Sequence, residues 1–189
     1  MPEKGQPLVA ILMGSDSDYE TMRETEKLLD RFAVPYVTHI TSAHRAAKKT
    51  HELAEKLERE GVRVFIAGAG LAAHLAGAVA AVTTKPVVGV PMAGGSLQGV
   101  DALYSTVQMP AGVPVATMAI GKHGAKNAAI LAVQMLALSD EELASRLRSH
   151  RQELESSVDA KDRELARETE ISAESMSQAI KELTPEGER

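Results

Sequence analysis

The sequence predicts an α/β fold in which five parallel strands, or slightly more, form a doubly wound sheet with helices on both faces, followed by a C-terminal helical extension. Three observations predict it. Apolar runs of strand length alternate with longer segments of helical periodicity, the pattern of successive βα units. The aliphatic residues dominate while aromatics are scarce, with no Trp, three Tyr and two Phe, which suits a tightly packed parallel sheet. The charge is unevenly spread: residues 139–189 hold 14 acids and 8 bases, leaving 12 acids and 13 bases in residues 1–138.

The first strand is expected over Leu8 to Met13, a continuous apolar run ended by Gly14. Ser17-x-x-Glu20 then has the form of a capping box and opens a helix whose Met22, Leu28, Leu29 and Phe32 lie near one face. Tyr36 to Thr41 predicts a second strand, after which Ser42 can cap a helix that carries Leu53 and Leu57 and stops at Gly61. Val62 to Ala67 predicts the third strand, with an Ala-rich helix from Leu71 to Val82 behind it. Pro86 to Val90 is the fourth strand, Val100 to Val107 a helix, Pro114 to Ile120 the fifth strand and Ala125 to Leu138 the last helix of the sheet domain. Residues 1–138 are expected to form the catalytic α/β domain. From Ser139, a second capping box, Ser139-x-x-Glu142, predicts a charged helix with Leu143, Leu147, Leu154 and Val158 on a narrow stripe. Residues 139–189 are thus an extension and not an independent domain, and the last stretch, ending Thr184-Pro185-Glu186-Gly187, is expected to fray or to lean on a neighbour.

Composition excludes several function classes. The net charge of −5 resides in the extension, so the domain itself has no basic footprint for nucleic acid, and the stacking rings that single strands need are scarce. The absence of Cys removes disulfides, thiolate nucleophiles and Cys-ligated zinc. Met1 to Gly5 has no apolar h-region, and no apolar run is of membrane-spanning length. A cytoplasmic protein with no membrane partner is the expectation. Between Leu71 and Leu138 only Lys85, Asp101, Lys122 and Lys126 are charged, which predicts apolar surface buried between copies of the chain.

In an open parallel sheet, ligands bind beyond the carboxyl ends of the strands, where helix N-termini present free N–H groups. The turn after the first strand, Gly14-Ser15-Asp16-Ser17-Asp18, offers hydroxyls and backbone donors for a phosphate and carboxylates for sugar hydroxyls; helix capping alone is the alternative. After the second strand, Ser42-Ala43-His44-Arg45 supplies a guanidinium for a phosphate and a histidine suited to proton transfer near neutral pH. A plain surface histidine is the alternative there. After the third strand, Gly68-Ala69-Gly70-Leu71-Ala72-Ala73-His74 matches G-x-G-x-x-A formally, but the acid that would hold a ribose is missing at Val88-Gly89-Val90-Pro91. Its glycines still admit a ligand close to the backbone, and His74 is expected inside an apolar helix, as a ligand contact or a core histidine. No P-loop, no H-E-x-x-H and no G-x-S-x-G occurs, and nothing at i+4 from His51 completes a metal site. The residues together favour His acid/base chemistry on a phosphorylated small molecule, with no metal and no redox cofactor.

Taken in order, these segments closely resemble the PurE family of purine biosynthesis, the N5-carboxyaminoimidazole ribonucleotide mutases. The resemblance spans about residues 7 to 150 and rests on Met13 to Asp18, Ser42 to Arg45, Gly68 to Gly70 with Ala72-Ala73-His74-Leu75, Gly89-Val90-Pro91, Gly99-Val100-Asp101, and Tyr104-Ser105 with Val107 to Pro110. It implies a three-layer αβα, flavodoxin-like domain, a homo-octamer, and transfer of a carboxylate from the exocyclic nitrogen to C4 of an imidazole ribonucleotide without cofactor. By the same resemblance Ser15, Ser42 and Arg45 hold the phosphate, Asp18 holds the ribose hydroxyls and His44 moves the proton at C4. Gly70, Ala72 and His74 line the pocket of the migrating carboxyl group. The chain departs from the family pattern at Ala46-Ala47, at Leu71, at Ala76 and in Met92-Ala93-Gly94-Gly95-Ser96. A carboxylase acting on aminoimidazole ribonucleotide with free carbon dioxide, whose third turn has a different Arg-Ser-Asn pattern, and a non-catalytic nucleotide-binding module are the two alternatives.

Overall fold

A computed structural model describes residues 5–183. The expectations for Met1 to Lys4 and for Thr184 to Gly187 lie outside the described residues. Within the first compact unit, which ends at Ala144, five strands form one parallel sheet: β1 (Val9–Met13), β2 (Tyr36–Ile40), β3 (Val64–Ala69), β4 (Val87–Pro91) and β5 (Ala116–Thr117). Their spatial order is β2-β1-β3-β4-β5, the flavodoxin-like order. β1 lies between β2 and β3, with Leu12 opposite His39 on one side and Ala67 on the other.

The helices are α1 (Tyr19–Arg31), α2 (Ala47–Arg59), α3 (Leu75–Ala80), α4 (Val100–Val107) and α5 (Lys122–Ala137), and α6 (Glu141–Leu183) continues into the second unit. Alternate strand residues serve opposite faces of the sheet. Ala10, Leu12, Phe65 and Ala67 meet Ala54 and Leu57 of α2 and Leu75, Ala76 and Val79 of α3 in one buried cluster. On the other face α1 packs against α5. The two helices are joined by a fully buried hydrogen bond, which the Thr25 hydroxyl donates to the Ala125 carbonyl at 2.9 Å. The buried small side chains Ala125, Ala128, Ala129 and Ala132 of α5 allow that close approach.

The strands and helices occur in the expected order, and the differences are at their ends. The capping box before α1 is formed by Ser15 and Asp18, not by Ser17 and Glu20: Ser15 caps a 3-10 turn over Asp16–Asp18. That turn precedes α1, so the cap belongs one turn earlier than the Ser17 pattern implied. Ser42 does not cap α2 either; its hydroxyl accepts from the backbone N–H of Arg45 at 3.2 Å and closes a separate turn, and α2 starts at Ala47. β3 begins two residues later than expected and runs to Ala69. β5 has only two residues in the sheet ladder, because only Val88 and Gly89 pair with it at this edge.

The helix expected from Leu71 is confined to α3, and His74 is its N-cap residue instead of lying inside it. Leu71 adopts a left-handed φ of 55°, which a continuous helix forbids. The cap of α6 is Asp140, whose carboxylate accepts from the Leu143 N–H at 2.9 Å, not Ser139. Among the described residues no helix is long and apolar enough to cross a membrane.

In the second unit, from Ser145 onward, α6 continues as a single helix to Leu183.

Candidate active site

The carboxyl ends of β1 to β4 surround a cavity of about 670 Å³. Sheet order produces it: the chain leaves β1 towards β2 on one side and returns to β3 on the other, so the crevice opens where the connections diverge. Gly14 N–H donates to the Gly68 carbonyl at 3.1 Å, and Thr41 N–H to the Met13 carbonyl at 2.9 Å. The first three strand-end turns therefore start from a common rigid edge. All eight residues singled out in the sequence, Ser15, Asp18, Ser42, His44, Arg45, Gly70, Ala72 and His74, line this one cavity.

In the first turn the Ser15 N–H donates to the Asp18 carboxylate at 3.2 Å, and the Ser15 hydroxyl donates to the Asp16 carboxylate at 2.9 Å. Burial pushes the Asp18 carboxyl up from its ordinary range, outweighing the hydrogen bonds that favour its charged form. The Ser15 hydroxyl and the Ser17 N–H hold Asp16 below its ordinary range. Two carboxylates two residues apart are thus pushed in opposite directions, and the half-buried one lines the cavity.

The second turn is anchored at both ends. Thr41 and Thr50 are buried and their hydroxyls are 2.7 Å apart, while Thr50 also donates to the Ala46 carbonyl at 3.1 Å. Between these anchors Arg45 reaches across to the first turn: Nη2 donates to the Gly14 carbonyl at 3.1 Å and Nε to the Ser42 hydroxyl at 3.4 Å. A guanidinium has five donors in a rigid fork. Two of them fix its position here, and the others can serve an anion beside Ser15 and Ser42. His44 and His74 face each other with ring centroids 5.3 Å apart and planes inclined by 42°.

The third turn is held by α4. The Ser105 hydroxyl accepts from the Ala73 N–H at 2.9 Å and donates to the Asp101 carbonyl at 2.8 Å. It orients the turn that carries His74, a positioning role that the sequence reading did not assign. The fourth wall, Met92 to Gly95 after β4, was also not among the selected residues. Applying the strand-end rule to β4 would have found it, but its apolar and glycine residues carry no chemical signature.

Leu71 sits at the lip of the cavity with its side chain 58% exposed. Its Cδ2 lies 2.5 Å from the place that a Cβ on Gly95 would occupy, so Gly95 leaves the room that Leu71 uses. Because a leucine in the left-handed region is strained and little of its side chain is buried, Leu71→Gly is expected to stabilise the fold by up to about 1 kcal/mol, read as a higher urea midpoint. A lower midpoint would show that the contact over Gly95 outweighs the backbone strain.

Comparison with known proteins agrees with this geometry. Residues 8–157 match the family model described as AIR carboxylase. The chain is 52% identical over 153 residues to the N5-carboxyaminoimidazole ribonucleotide mutase of Bacillus subtilis, covering 81% of this chain and 94% of that one. It is 52% identical over 143 residues to the enzyme of the same name from Escherichia coli, covering 76% and 85%. Among solved structures, Treponema denticola PurE superposes with a TM-score of 0.77 at 30% identity, over 84% of this chain and 98% of that one. A family match across the whole sheet domain, together with relatives at this identity and a solved structure of the same fold, means that the chain belongs to the AIR carboxylase family.

Proposed function

We propose that the chain is an isomerase of purine biosynthesis that converts N5-carboxyaminoimidazole ribonucleotide to its C4-carboxylated isomer. The observation that carries this reading is the convergence of three strand-end turns on one cavity, with the tilted His44 and His74 rings 5.3 Å apart beside Ser15, Ser42 and Arg45, whose donors suit an anion. The mutase name borne by the curated relatives favours this reaction over direct carboxylation with free carbon dioxide.

In this reading the phosphate is held by the two serine hydroxyls and the Arg45 guanidinium, and Asp18 accepts from the ribose hydroxyls. His44, protonated, donates to the exocyclic nitrogen as the bond from that nitrogen to the carboxyl carbon breaks and carbon dioxide is released into the pocket. Gly70, Ala72 and His74 line the space that retains it. C4 of the ring then attacks the retained carbon dioxide, forming the new carbon–carbon bond, and His44 removes the C4 proton. The proton lent in the first step is recovered in the second, so the reaction is a net isomerisation. No ATP, metal or redox group takes part. The protein works in the cytoplasm in this reading, as a homo-octamer. The large exposed side chains Val100, Tyr104 and Val107 of α4, with Leu97 before it, support assembly because they form an apolar strip on one helix. Residues 1–138 are the catalytic domain and 139–189 its extension.

The test is conversion of N5-carboxyaminoimidazole ribonucleotide to the C4 isomer without ATP and without added bicarbonate. Turnover only from aminoimidazole ribonucleotide plus bicarbonate would replace the mutase with the direct carboxylase. Absence of turnover with retained nucleotide binding would favour a binding module.

The raised Asp18 pKa predicts a pH dependence. The carboxylate form, which accepts from ribose, is lost as pH falls, and for Asp18 this begins at a higher pH than for an ordinary aspartate of model value 3.8. KM is therefore expected to rise on acidification earlier than an unperturbed carboxylate would allow. Asp18→Asn is expected to have a raised KM from which this component of the pH profile is missing. An identical profile in the variant would remove Asp18 from ribose binding.

A further inference from the structure

Among the described residues, Ala33, Leu71 and Gln98 are the non-glycine residues with a left-handed φ. Ala33 has a structural reason. Its N–H donates to the Asp30 carbonyl and the Val34 N–H to the Leu29 carbonyl, both at 2.9 Å, which closes the end of α1. The other two belong to the cavity and its surroundings: Leu71 lies in the third turn, and Gln98 in the loop that continues from the fourth wall. Backbone strain that packing does not require is kept where a site uses it.

Packing does not require it at Leu71. The side chain is mostly exposed and adds little to the core, and glycine would adopt the same φ freely. The backbone is nonetheless fixed, because the Leu71 carbonyl accepts from the Ala73 N–H at 2.9 Å, the same N–H that Ser105 of α4 orients. The side chain is thereby carried across to the loop after β4.

The third and fourth walls of the cavity meet at two places. In one, Gly70 lies against Met92, where a Cβ on Gly70 would be 3.3 Å from the Met92 Cβ. In the other, at the lip, the Leu71 Cδ2 lies over Gly95. Gly95 is held in turn by Gln98, whose side-chain amide donates to the Gly95 carbonyl at 3.2 Å. The contact at the lip is therefore fixed from both sides, each time by a residue in the left-handed region.

The proposed reaction gives that contact a use. Carbon dioxide is uncharged and has no net dipole, so the hydroxyls and guanidinium that suit a phosphate do not hold it. Between its release from nitrogen and the attack by C4, it stays only if its way out is closed for longer than the attack takes. An apolar branched side chain across a seam of the cavity closes it and offers no hydrogen bond to incoming water. Gly70 and Ala72, which flank Leu71 in the chain, line the same cavity.

We propose that Leu71 is the retention residue of this site: its side chain, closed against Gly95, seals the seam between the third turn and the loop after β4 and keeps released carbon dioxide beside C4. This rests on the mutase reading and concerns the fate of the released carbon dioxide, not the proton transfers given to His44.

The full-length protein is supplied with unlabelled N5-carboxyaminoimidazole ribonucleotide in buffer containing bicarbonate labelled with heavy carbon, and carbonic anhydrase keeps the dissolved carbon dioxide labelled. Mass spectrometry reads the labelled fraction of the C4 isomer, and an enzyme-free sample supplies the background. The parent is expected to return mostly unlabelled product. Leu71→Gly is expected to raise the labelled fraction at least about threefold, because carbon dioxide from solvent exchanges through the opened seam. Leu71→Met, which restores an apolar side chain of similar length, is expected to return it towards the parent value. Glycine suits the backbone at this position, and the labelled fraction is a ratio within the product, so neither unfolding nor a lower amount of active enzyme produces the effect. A smaller rise in Leu71→Gly would overturn the proposal, as would a methionine variant that takes up as much label as the glycine variant. With an unlabelled parent product, either result removes Leu71 alone. A parent that forms no C4 isomer, or only labelled isomer, removes the mutase reading and this inference with it.

Discussion

His44→Asn is expected to slow turnover by roughly 10²-fold or more while the nucleotide still binds, the usual scale for loss of a positioned acid/base group. Asparagine keeps a polar side chain of similar reach but cannot exchange a proton in the pH range of an imidazole. The phosphate groups in the proposed site belong to Ser15, Ser42 and Arg45, and none of their hydrogen bonds runs through His44. The loss should therefore fall on kcat with KM little changed, the signature of an interaction made in the transition state. The turn itself should survive, since its anchors are the Thr41–Thr50 hydroxyl pair and the Arg45–Ser42 contacts. Steady-state kinetics with a parallel nucleotide-binding measurement checks both halves. Turnover within a few-fold of the parent would remove His44 from the chemistry and leave His74, 5.3 Å away, as the proton carrier to test next.

Gly124→Ala is expected to destabilise the fold by about 3 kcal/mol or more, at the upper end of the cost of overpacking. Gly124 is buried in the first turn of α5, and a Cβ there would lie 1.7 Å from the Ala119 carbonyl oxygen and 2.7 Å from its carbon. These are backbone atoms, so no side-chain rotation relieves the clash. By contrast, a Cβ on Gly68 would meet the tips of Met22 and Met92, which can move aside. Relief at Gly124 requires a shift of α5, which packs against α1 and lies over β3 and β4. Urea denaturation measures the effect as a lower midpoint at unchanged slope. A change below about 1 kcal/mol would mean that the loop from Ala119 to Gly121 adapts freely.

What could be read in advance differs between the middles and the ends of the elements. The interiors of β1 and β4 are continuous apolar runs, and burial on both faces leaves no other use for them. The helices α1 and α2 carry apolar residues at helical spacing, and α4 occupies the expected residues. The ends were less legible because caps are local competitions. Ser15 and Ser17 are equally good capping types, and the choice fell to Ser15 because Asp18 could return a bond to its N–H. Leu71 is a helix former by intrinsic preference, yet it adopts a left-handed φ. The turn there is set by Ser105, 32 residues beyond Ala73, which no local pattern can report.

The sequence by itself determined the alternation of strands and helices, the location of candidate chemistry at strand ends, and the types of group available there. These depend on periodicity and on residue chemistry within a few positions. Only the tertiary structure decided that β1 lies between β2 and β3, and hence that the turns from residues 14, 42 and 70 border one cavity with the apolar loop after β4 as its fourth wall. It also decided that Arg45 spans from the second turn to the first and that His44 meets His74. Contacts between residues 30 apart in the chain depend on how the strands order themselves across the sheet, and that order comes from packing the whole core.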